Sequence, residues 1–166
     1  MIDILTQEDI EYGSNLIMLV GPPGCGKSTY AKNFVEQEKK NGTEWIIISP
    51  DAIRKEITGD ESDQTQNKTV FCQVYSDLAK YLDRGFNVIY DATNCRGVYR
   101  YKILDAVREH VNKIICIMFT TSMLVCLKNN QNRDRVVPEE VIERMYFTLK
   151  NHPPTIIEGY DAILRV

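Results

Sequence analysis

Short runs of apolar residues recur along the chain, and between them apolar residues return at every third or fourth position. A continuous apolar run predicts a strand buried on both faces, whereas the wider spacing predicts an amphipathic helix. The predicted strands cover residues 15–20, 45–49, 86–90, 113–119 and 162–166. This alternation is typical of an α/β fold in which helices cover both faces of a parallel sheet.

The predicted helices lie between these strands. The first begins at Lys27 and places Ala31, Phe34 and Val35 on one side. The second opens with Ser49 as a capping residue, proline next and an acid in the first turn, and it ends near residues 58–59. The remaining helices are predicted over residues 70–84, 98–111, 122–129 and 138–150. In the 98–111 helix the apolar stripe consists of Val98, Tyr101, Leu104, Val107 and Val111.

The composition is that of a soluble globular protein, with 43% hydrophobic and 26% charged residues among 166. That length predicts a single domain over residues 1–166. Residues 1–15 have no basic start and no apolar core, which argues against a signal peptide, and no apolar run approaches the length of a membrane span. We therefore expect a cytoplasmic protein without membrane contact.

Charge and cysteine usage narrow the class further. A net charge of -3 and a pI near 5.5 argue against broad coating of nucleic acid, although a small basic pocket remains compatible with them. The five cysteines form no C-x-x-C pair, so the pattern favours reduced thiols over a disulfide framework or a zinc site.

The sequence GPPGCGKST, from Gly21 to Thr29, matches the phosphate-binding pattern G-x-x-x-x-G-K-[ST] at every fixed position. Its glycines predict backbone conformations that a Cβ would forbid, so that N–H groups can turn toward phosphate oxygens. Lys27 would bind the outer phosphates, and the Ser28 hydroxyl would coordinate Mg²⁺. The predicted ATP-binding residues are Gly21, Gly24, Cys25, Gly26, Lys27, Ser28 and Thr29. The pattern predicts that the chain binds ATP or another nucleoside triphosphate.

Polar residues follow three predicted strands, whose carboxyl ends share one edge of a parallel sheet. Asp51 and Arg54 could orient an attacking hydroxyl and grip a phosphate, or could be a helix-start acid and a solvated arginine. Asp91 could bind or orient Mg²⁺, although aspartate also ends many ordinary strands. Thr93 and Asn94 would either contact the acceptor or shape the turn.

The polar segment 128–135 lies between two predicted helices and predicts a lid over the triphosphate. It carries Arg133 and Arg135 on either side of Asp134. An arginine that stabilises a transferring phosphoryl group can raise the rate by about 10³ to 10⁵. The alternative is that both arginines are solvated.

Several segments together resemble the 5′-hydroxyl polynucleotide kinases of phages and bacterial RNA-repair systems. These segments are residues 21–32, Ser49-Pro50-Asp51-x-x-Arg54, Tyr90-Asp91-Ala92-Thr93-Asn94 and residues 133–145. The resemblance runs from about residue 15 to the C-terminus. It implies a P-loop kinase fold with strand order 2-3-1-4-5 and a helical lid.

The same resemblance implies roles for individual residues. Asp51 would be the general base for the 5′-hydroxyl, and Arg54 would hold the 3′-phosphate of the acceptor. Arg133 or Arg135 would contact the donor phosphates. The chain lacks the Asp-x-Asp pair of the phosphatase domain that many family members carry, so we expect no 3′-phosphatase activity.

The sequence therefore predicts a kinase that transfers the γ-phosphate of ATP to the 5′-hydroxyl end of DNA or RNA, with Mg²⁺ as cofactor and a role in nucleic-acid repair. One alternative is a P-loop kinase of a small metabolite, nucleoside or antibiotic, which the acidic pI favours. Another is an ATP-hydrolysing switch module, which needs no acceptor pocket. The choice between DNA and RNA, the donor nucleotide and the formation of homo-oligomers stay open.

Overall fold

The computed structural model describes residues 13–166, in which strands and helices alternate. In chain order they are β1 (Asn15–Val20), α1 (Lys27–Lys40), β2 (Trp45–Ile48), α2 (Pro50–Thr58), α3 (Asn67–Asp83), β3 (Asn87–Tyr90), α4 (Gly97–Val107), β4 (Lys113–Met118), α5 (Met123–Gln131), α6 (Glu139–Asn151) and β5 (Ala162–Arg165). Short 3₁₀ turns at Arg108–His110 and Ile156–Glu158 follow α4 and precede β5. Every predicted strand is present within about two residues of its predicted bounds.

The strands form one parallel sheet in the order β2-β3-β1-β4-β5. The predicted α/β class and the strand order that the resemblance implies are both confirmed. β1 is central, and its Met18 aligns with Tyr90 of β3 and Cys116 of β4. The segments that follow β1, β2 and β3 therefore lie side by side at the carboxyl edge of the sheet.

Apolar side chains fill both faces of the sheet. On one face Val74 and Leu78 of α3 pack with Leu104 of α4, and on the other Phe34 of α1 packs in a cluster with Cys126 of α5. All of β1 is buried, which explains its uninterrupted apolar run. Burying one such apolar side chain contributes about 1.5–3 kcal/mol, so the sheet is a firm base for the loops at its edge.

The prediction for the 98–111 helix is wrong in its end and in part of its buried face. The helix ends at Val107, and Val98 and Tyr101 are exposed. The buried residues are Arg100, Ile103, Leu104 and Val107. The apolar pattern misplaced the face because Arg100 lies in the core, where an ion pair with Glu158 stabilises its charge.

The start of α2 differs from the prediction in one detail. Ser49 lies at the capping position, but its side chain makes no capping hydrogen bond. Pro50 takes the first helical position and Asp51 the first turn, as predicted. The helix ends at Thr58, and the next residue, Gly59, has a left-handed φ of 82° that suits a glycine.

The sequence also led to predictions about a signal peptide, membrane spans and cysteines. The prediction that the chain has no signal peptide depends on residues 1–15, of which 1–12 lie outside the described residues. Among residues 13–166, no helix has both the length and the apolar character needed to cross a membrane. All five cysteines are free thiols, and only Cys72 is exposed.

Candidate active site

The phosphate loop, residues 21–28, links β1 to α1, and its backbone suits an anion. Gly24 and Gly26 have left-handed φ angles of 80° and 103°, which side chains disfavour. Gly26 directly precedes α1, where no side chain caps the helix and no acid lies in the first turn. The first N–H groups of a helix lack partners within it, and the helix dipole favours negative charge there. The loop therefore offers backbone donors to phosphate oxygens.

Lys27 is buried at the first position of α1. Its Nζ donates hydrogen bonds to the Pro22 carbonyl oxygen at 2.8 Å and to Cys25 Sγ at 3.5 Å. An ammonium group has three donors, so one is left for a phosphate oxygen. Burial raises the pKa of the Cys25 thiol, and the opposing effect of Lys27 does not cancel the shift. The thiol therefore stays protonated beside the ammonium at neutral pH.

Two loop glycines are also required by packing. A Cβ on Gly24 would lie 2.2 Å from the carbonyl oxygen of Cys126 in α5. Gly21 has no left-handed φ, so the predicted reason for this glycine is wrong. A Cβ on Gly21 would instead lie 2.5 Å from Cys25 Sγ and 3.0 Å from Cβ of Phe119. Close approach, rather than backbone conformation, excludes a side chain at this position.

Residues near α5 brace the loop from one side. Thr121 Oγ1 donates a hydrogen bond to the Cys25 carbonyl oxygen at 3.0 Å, and Asn129 Nδ2 donates one to the Gly24 carbonyl oxygen at 2.9 Å. The sequence analysis did not identify these residues, because nothing in the local pattern distinguishes them from other polar residues around a helix. These bonds join α5, which precedes the predicted lid, and the segment just before α5 to the phosphate loop.

The turn after β3 braces the loop from the other side. The Gly21 N–H donates a hydrogen bond to the Thr93 carbonyl oxygen at 2.9 Å. Asn94 is buried with a left-handed φ of 49°, a conformation that asparagine tolerates better than most residues. Its Nδ2 donates to the Leu19 carbonyl oxygen at 2.7 Å. These contacts shape the turn, and a contact of Thr93 or Asn94 with the acceptor stays a prediction.

Ser28 and Asp91 supply oxygen atoms near the loop. Ser28 is exposed in the first turn of α1, and the half-buried Asp91 is close enough for its charge to act on the Cys25 thiol. Mg²⁺ prefers oxygen ligands and is usually held by one or two carboxylates with substrate phosphates and waters. Within residues 13–166 no group of three or more His, Cys, Asp or Glu side chains could hold a metal by itself. This donor set fits an ion that arrives with the nucleotide.

Asp51 and Arg54 meet at the start of α2, as their spacing predicts. Arg54 is 4% exposed, and its Nη1 donates to the Asp51 carboxylate and to the Glu61 carbonyl oxygen at 3.2 Å. Its Nη2 donates to Asn67 Oδ1 at 3.2 Å. The Asp51 side chain is 51% exposed, so its carboxylate is open to solvent. We call Asp51, Arg54, Glu61 and Asn67 the acceptor side, after the role that the resemblance implies for Asp51 and Arg54.

The two lid arginines have different surroundings. Arg135 Nη1 donates to the Glu61 carbonyl oxygen at 3.0 Å and lies 3.6 Å from Asp51 Oδ1. Arg133 is exposed, and within residues 13–166 its side chain makes no hydrogen bond or ion pair. The lid therefore contacts the acceptor side through Arg135.

The lid itself is shorter than the predicted 128–135 loop, because α5 continues to Gln131. Asn130 is fully buried at the end of this helix. Its Nδ2 donates to the Val137 carbonyl oxygen at 2.8 Å, and its Oδ1 accepts from the Val137 N–H at 3.0 Å. These two bonds close residues 131–136 into a compact loop on a fixed base, which carries both arginines.

Arg100 is a central residue that the sequence analysis missed. It is 1% exposed and donates two hydrogen bonds to the Glu158 carboxylate, at 2.7 and 2.8 Å. It also donates to the carbonyl oxygens of Asn94, Cys95 and His152, each at 3.2 Å. Burial disfavours its charge, but Glu158 outweighs that effect and raises the pKa of Arg100. The residue ties the turn after β3 to the end of α6.

The site combines a phosphate loop, two oxygen donors for a cation and an acidic group beside two guanidinium groups. Residues 16–152 match the model of the AAA domain family. The chain belongs to this family. The AAA domain has the P-loop kinase fold, with its loop after the central strand β1.

Several known proteins are similar to this chain. The chain is 28% identical over 136 residues to an L-seryl-tRNA(Sec) kinase of Methanococcus maripaludis, covering 79% of this chain and 51% of that protein. Two structures of the Pnkp1/Rnl/Hen1 complex also contain similar chains. In one, of the Pnkp1/Rnl/Hen1 RNA repair complex, the similar chain matches with TM-score 0.76 at 22% identity, over 89% of this chain and 47% of the other. The second matches with TM-score 0.65 at 26% identity, over 78% and 42%.

The chain spans about half the length of these relatives. What they share with it is the nucleotide-binding, kinase-like fold. The chain therefore belongs to a kinase-like P-loop enzyme family, and the shared fold alone does not specify its acceptor.

Proposed function

We propose that this protein transfers the γ-phosphate of ATP to the 5′-hydroxyl of a DNA or RNA end. The observation that carries the proposal is the Asp51 carboxylate, which is half exposed at the start of α2 and paired with the buried Arg54. A carboxylate within hydrogen-bond reach of a hydroxyl can accept its proton. The guanidinium beside it can bind a phosphate of the same nucleotide.

The donor is bound by the phosphate loop. Backbone N–H groups and Lys27 bind the triphosphate, and Ser28 with Asp91 would hold Mg²⁺, which neutralises charge on the phosphates when it is bound. Asp51 orients the 5′-hydroxyl and takes its proton as the oxygen attacks the γ-phosphorus, while the bond from the γ-phosphorus to the β–γ bridging oxygen breaks and ADP leaves. Arg133 is the lid residue that is free to reach the γ-phosphate. Positioning and charge stabilisation then supply most of the rate.

The similarity to chains of the Pnkp1/Rnl/Hen1 complex supports an acceptor of this class, since one of the two reaches 26% identity. The Asp51–Arg54 pair supports it independently, because a nucleotide end presents a hydroxyl and a phosphate close together. A switch module that only hydrolyses ATP has no need of this pair.

A second candidate acceptor is the seryl hydroxyl of an aminoacylated tRNA. The observation that favours it is the 28% identity with the L-seryl-tRNA(Sec) kinase. Both candidates use a hydroxyl attached to a nucleic acid, and they differ in the position of the nearest phosphate. A 5′-hydroxyl nucleotide carries a phosphate on its own ribose, whereas a seryl group does not.

A panel of acceptors separates the candidates. The protein is incubated with γ-labelled ATP, Mg²⁺ and, in parallel, a 5′-hydroxyl DNA oligonucleotide, the same sequence as RNA, seryl-tRNA, gluconate and a nucleoside. The 5′-phosphorylated form of each oligonucleotide is the matched control. We expect label on the 5′-hydroxyl strands and none on their 5′-phosphorylated controls. Label on seryl-tRNA or on a small acceptor alone would replace the proposal.

A further inference from the structure

Arg54 of α2 and Arg135 of the lid converge on the same two groups. Their Nη1 atoms donate to the carbonyl oxygen of Glu61, at 3.2 and 3.0 Å. Both also lie beside the Asp51 carboxylate, Arg54 in direct contact and Arg135 at 3.6 Å. Two segments that are far apart in the sequence, residues 51–61 and the lid at Arg135, thus bring two guanidinium groups to one place.

The donors of Arg54 are not all used. A guanidinium has five N–H groups, and three hydrogen bonds to described residues account for three of them. The Nε of Arg54 is buried and has no hydrogen-bond partner within residues 13–166. Buried donors are nearly always paired in folded proteins, so an unpaired one indicates a missing partner such as a ligand.

The charges at this place also favour an anion. Two guanidinium groups face one carboxylate, which leaves one positive charge in excess. Asp60 and Asp63 lie nearby, but both are fully exposed and accept hydrogen bonds from their own loop, at Ser62 and Thr65. Water screens exposed charges of this kind, so they offset little of the excess.

We propose that Arg135 is an acceptor-binding residue, which together with Arg54 binds the phosphate on the 3′ side of the acceptor nucleoside. We call these two side chains the phosphate notch. Arg135 then serves the acceptor and Arg133 the donor, so that the one loop carries an arginine for each substrate. This assignment rests on the proposed function, because it takes the acceptor to be a nucleotide end.

The phosphate notch gives the acceptor a way to act on the lid. Arg135 belongs to the loop that Asn130 closes, and α5 is bonded to the phosphate loop through Asn129. A phosphate held by Arg54 and Arg135 joins α2 to this loop. Acceptor binding thereby holds the lid over the site in which Arg133 meets the donor.

Binding measured without ATP tests the phosphate notch apart from chemistry. Isothermal titration calorimetry is performed with adenosine 3′-monophosphate and, as the matched probe, adenosine. We expect the wild type to prefer the 3′-monophosphate, and Arg135→Ala to weaken its binding about tenfold or more, as for the loss of a charge-assisted hydrogen bond. Arg133→Ala is expected to change it by less than about twofold, on the same reasoning about contacts.

Two further variants keep the test decisive. Asp51→Asn removes the carboxylate that lies beside both guanidinium groups, so we expect it to bind the 3′-monophosphate at least as tightly as the wild type. Arg135→Gln keeps a donor for the Glu61 carbonyl oxygen and replaces Arg135→Ala if that variant melts at a lower temperature. The inference is overturned if adenosine and its 3′-monophosphate bind equally, if the Arg135 variants bind as the wild type does, or if Arg133→Ala loses as much.

The acceptor panel distinguishes failure of this inference from failure of the proposed function. If the 3′-monophosphate binds through Arg135 but no nucleic-acid end is labelled, the phosphate notch stands and the reaction is wrong. If 5′-hydroxyl ends are labelled but Arg135→Ala binds the 3′-monophosphate normally, the reaction stands and Arg135 has another role.

Discussion

The phosphate loop is held by backbone hydrogen bonds and close packing, whereas the acceptor side is held by charged side chains from separate segments. At the loop, Gly24 touches the backbone of α5 and Lys27 is buried against Pro22. At the acceptor side, Asp51 and Arg135 are partly exposed and meet across a loop. The first arrangement fixes one geometry for a substrate that every such kinase shares. The second depends on a few side chains that meet through hydrogen bonds and charge.

A large effect is expected at the donor side, from Lys27→Ala. Removing a buried charge that stabilises the transferring phosphoryl group should lower kcat by about 10²- to 10³-fold. Lys32→Ala, an exposed lysine of the same helix, is the control and should retain the wild-type rate. The rates are measured by transfer of label from ATP to a 5′-hydroxyl oligonucleotide. A Lys27→Ala rate within tenfold of the wild type would contradict the role given to this residue.

Gly24→Ala tests the close packing of the loop. Its Cβ would meet the Cys126 carbonyl oxygen at 2.2 Å in addition to the strain of a left-handed φ. Gly42→Ala is matched, because φ is 86° there and nothing lies within 4 Å of the added Cβ. We expect Gly24→Ala to lose about 1–3 kcal/mol more than Gly42→Ala in urea unfolding. Equal losses would mean that the loop is not braced by α5.

A buried thiol in the sheet, that of Cys116, makes the free energy of unfolding depend on pH. Burial raises the pKa of Cys116 to about 12 from its usual 9.0, so above pH 9 the unfolded thiol releases a proton that the folded one keeps. The free energy of unfolding should therefore fall as pH rises from 9, by about 1.4 kcal/mol per pH unit for this thiol. Cys116→Ala should show a shallower fall between pH 9 and 11, and Cys72→Ala, at an exposed site, the wild-type slope. If the free energy of unfolding fell equally with pH in Cys116→Ala and in the wild type, the raised pKa of the buried Cys116 thiol would be contradicted.

The smallest effect is expected at the acceptor side, from Asn67→Ala. Asn67 accepts one hydrogen bond from Arg54 at 3.2 Å and positions it. Its loss should raise KM for the oligonucleotide about three- to tenfold and leave KM for ATP nearly unchanged. Gln73→Ala, on the same helix and bonded to Asp77, is the control. A larger change in KM for ATP than for the oligonucleotide would contradict the assignment of Asn67 to the acceptor side.

The contrast also explains what could be predicted from the sequence. The phosphate loop is contiguous, so Lys27 and Ser28 are recognised from spacing alone. The pairing of Asp51 with Arg54 follows from helix periodicity and the strand-end rule. The contact of Arg135 with Glu61, and the bracing by Asn129, depend on how distant loops approach one another, which no local pattern encodes. Arg100 could not be predicted as a core residue, because the sequence shows its charge but not the distant ion pair with Glu158 that stabilises this charge.

Asp51→Asn tests the central claim most directly, because it keeps the shape of the acceptor side and removes only the carboxylate charge. Wild type and variant are compared for transfer of label from γ-labelled ATP to a 5′-hydroxyl oligonucleotide and, separately, for ATP affinity. We predict that transfer falls by about 10²- to 10⁴-fold, as for loss of a general base, while ATP affinity is unchanged. Transfer at the wild-type rate by Asp51→Asn would contradict the account, as would a wild type that labels no nucleic-acid end.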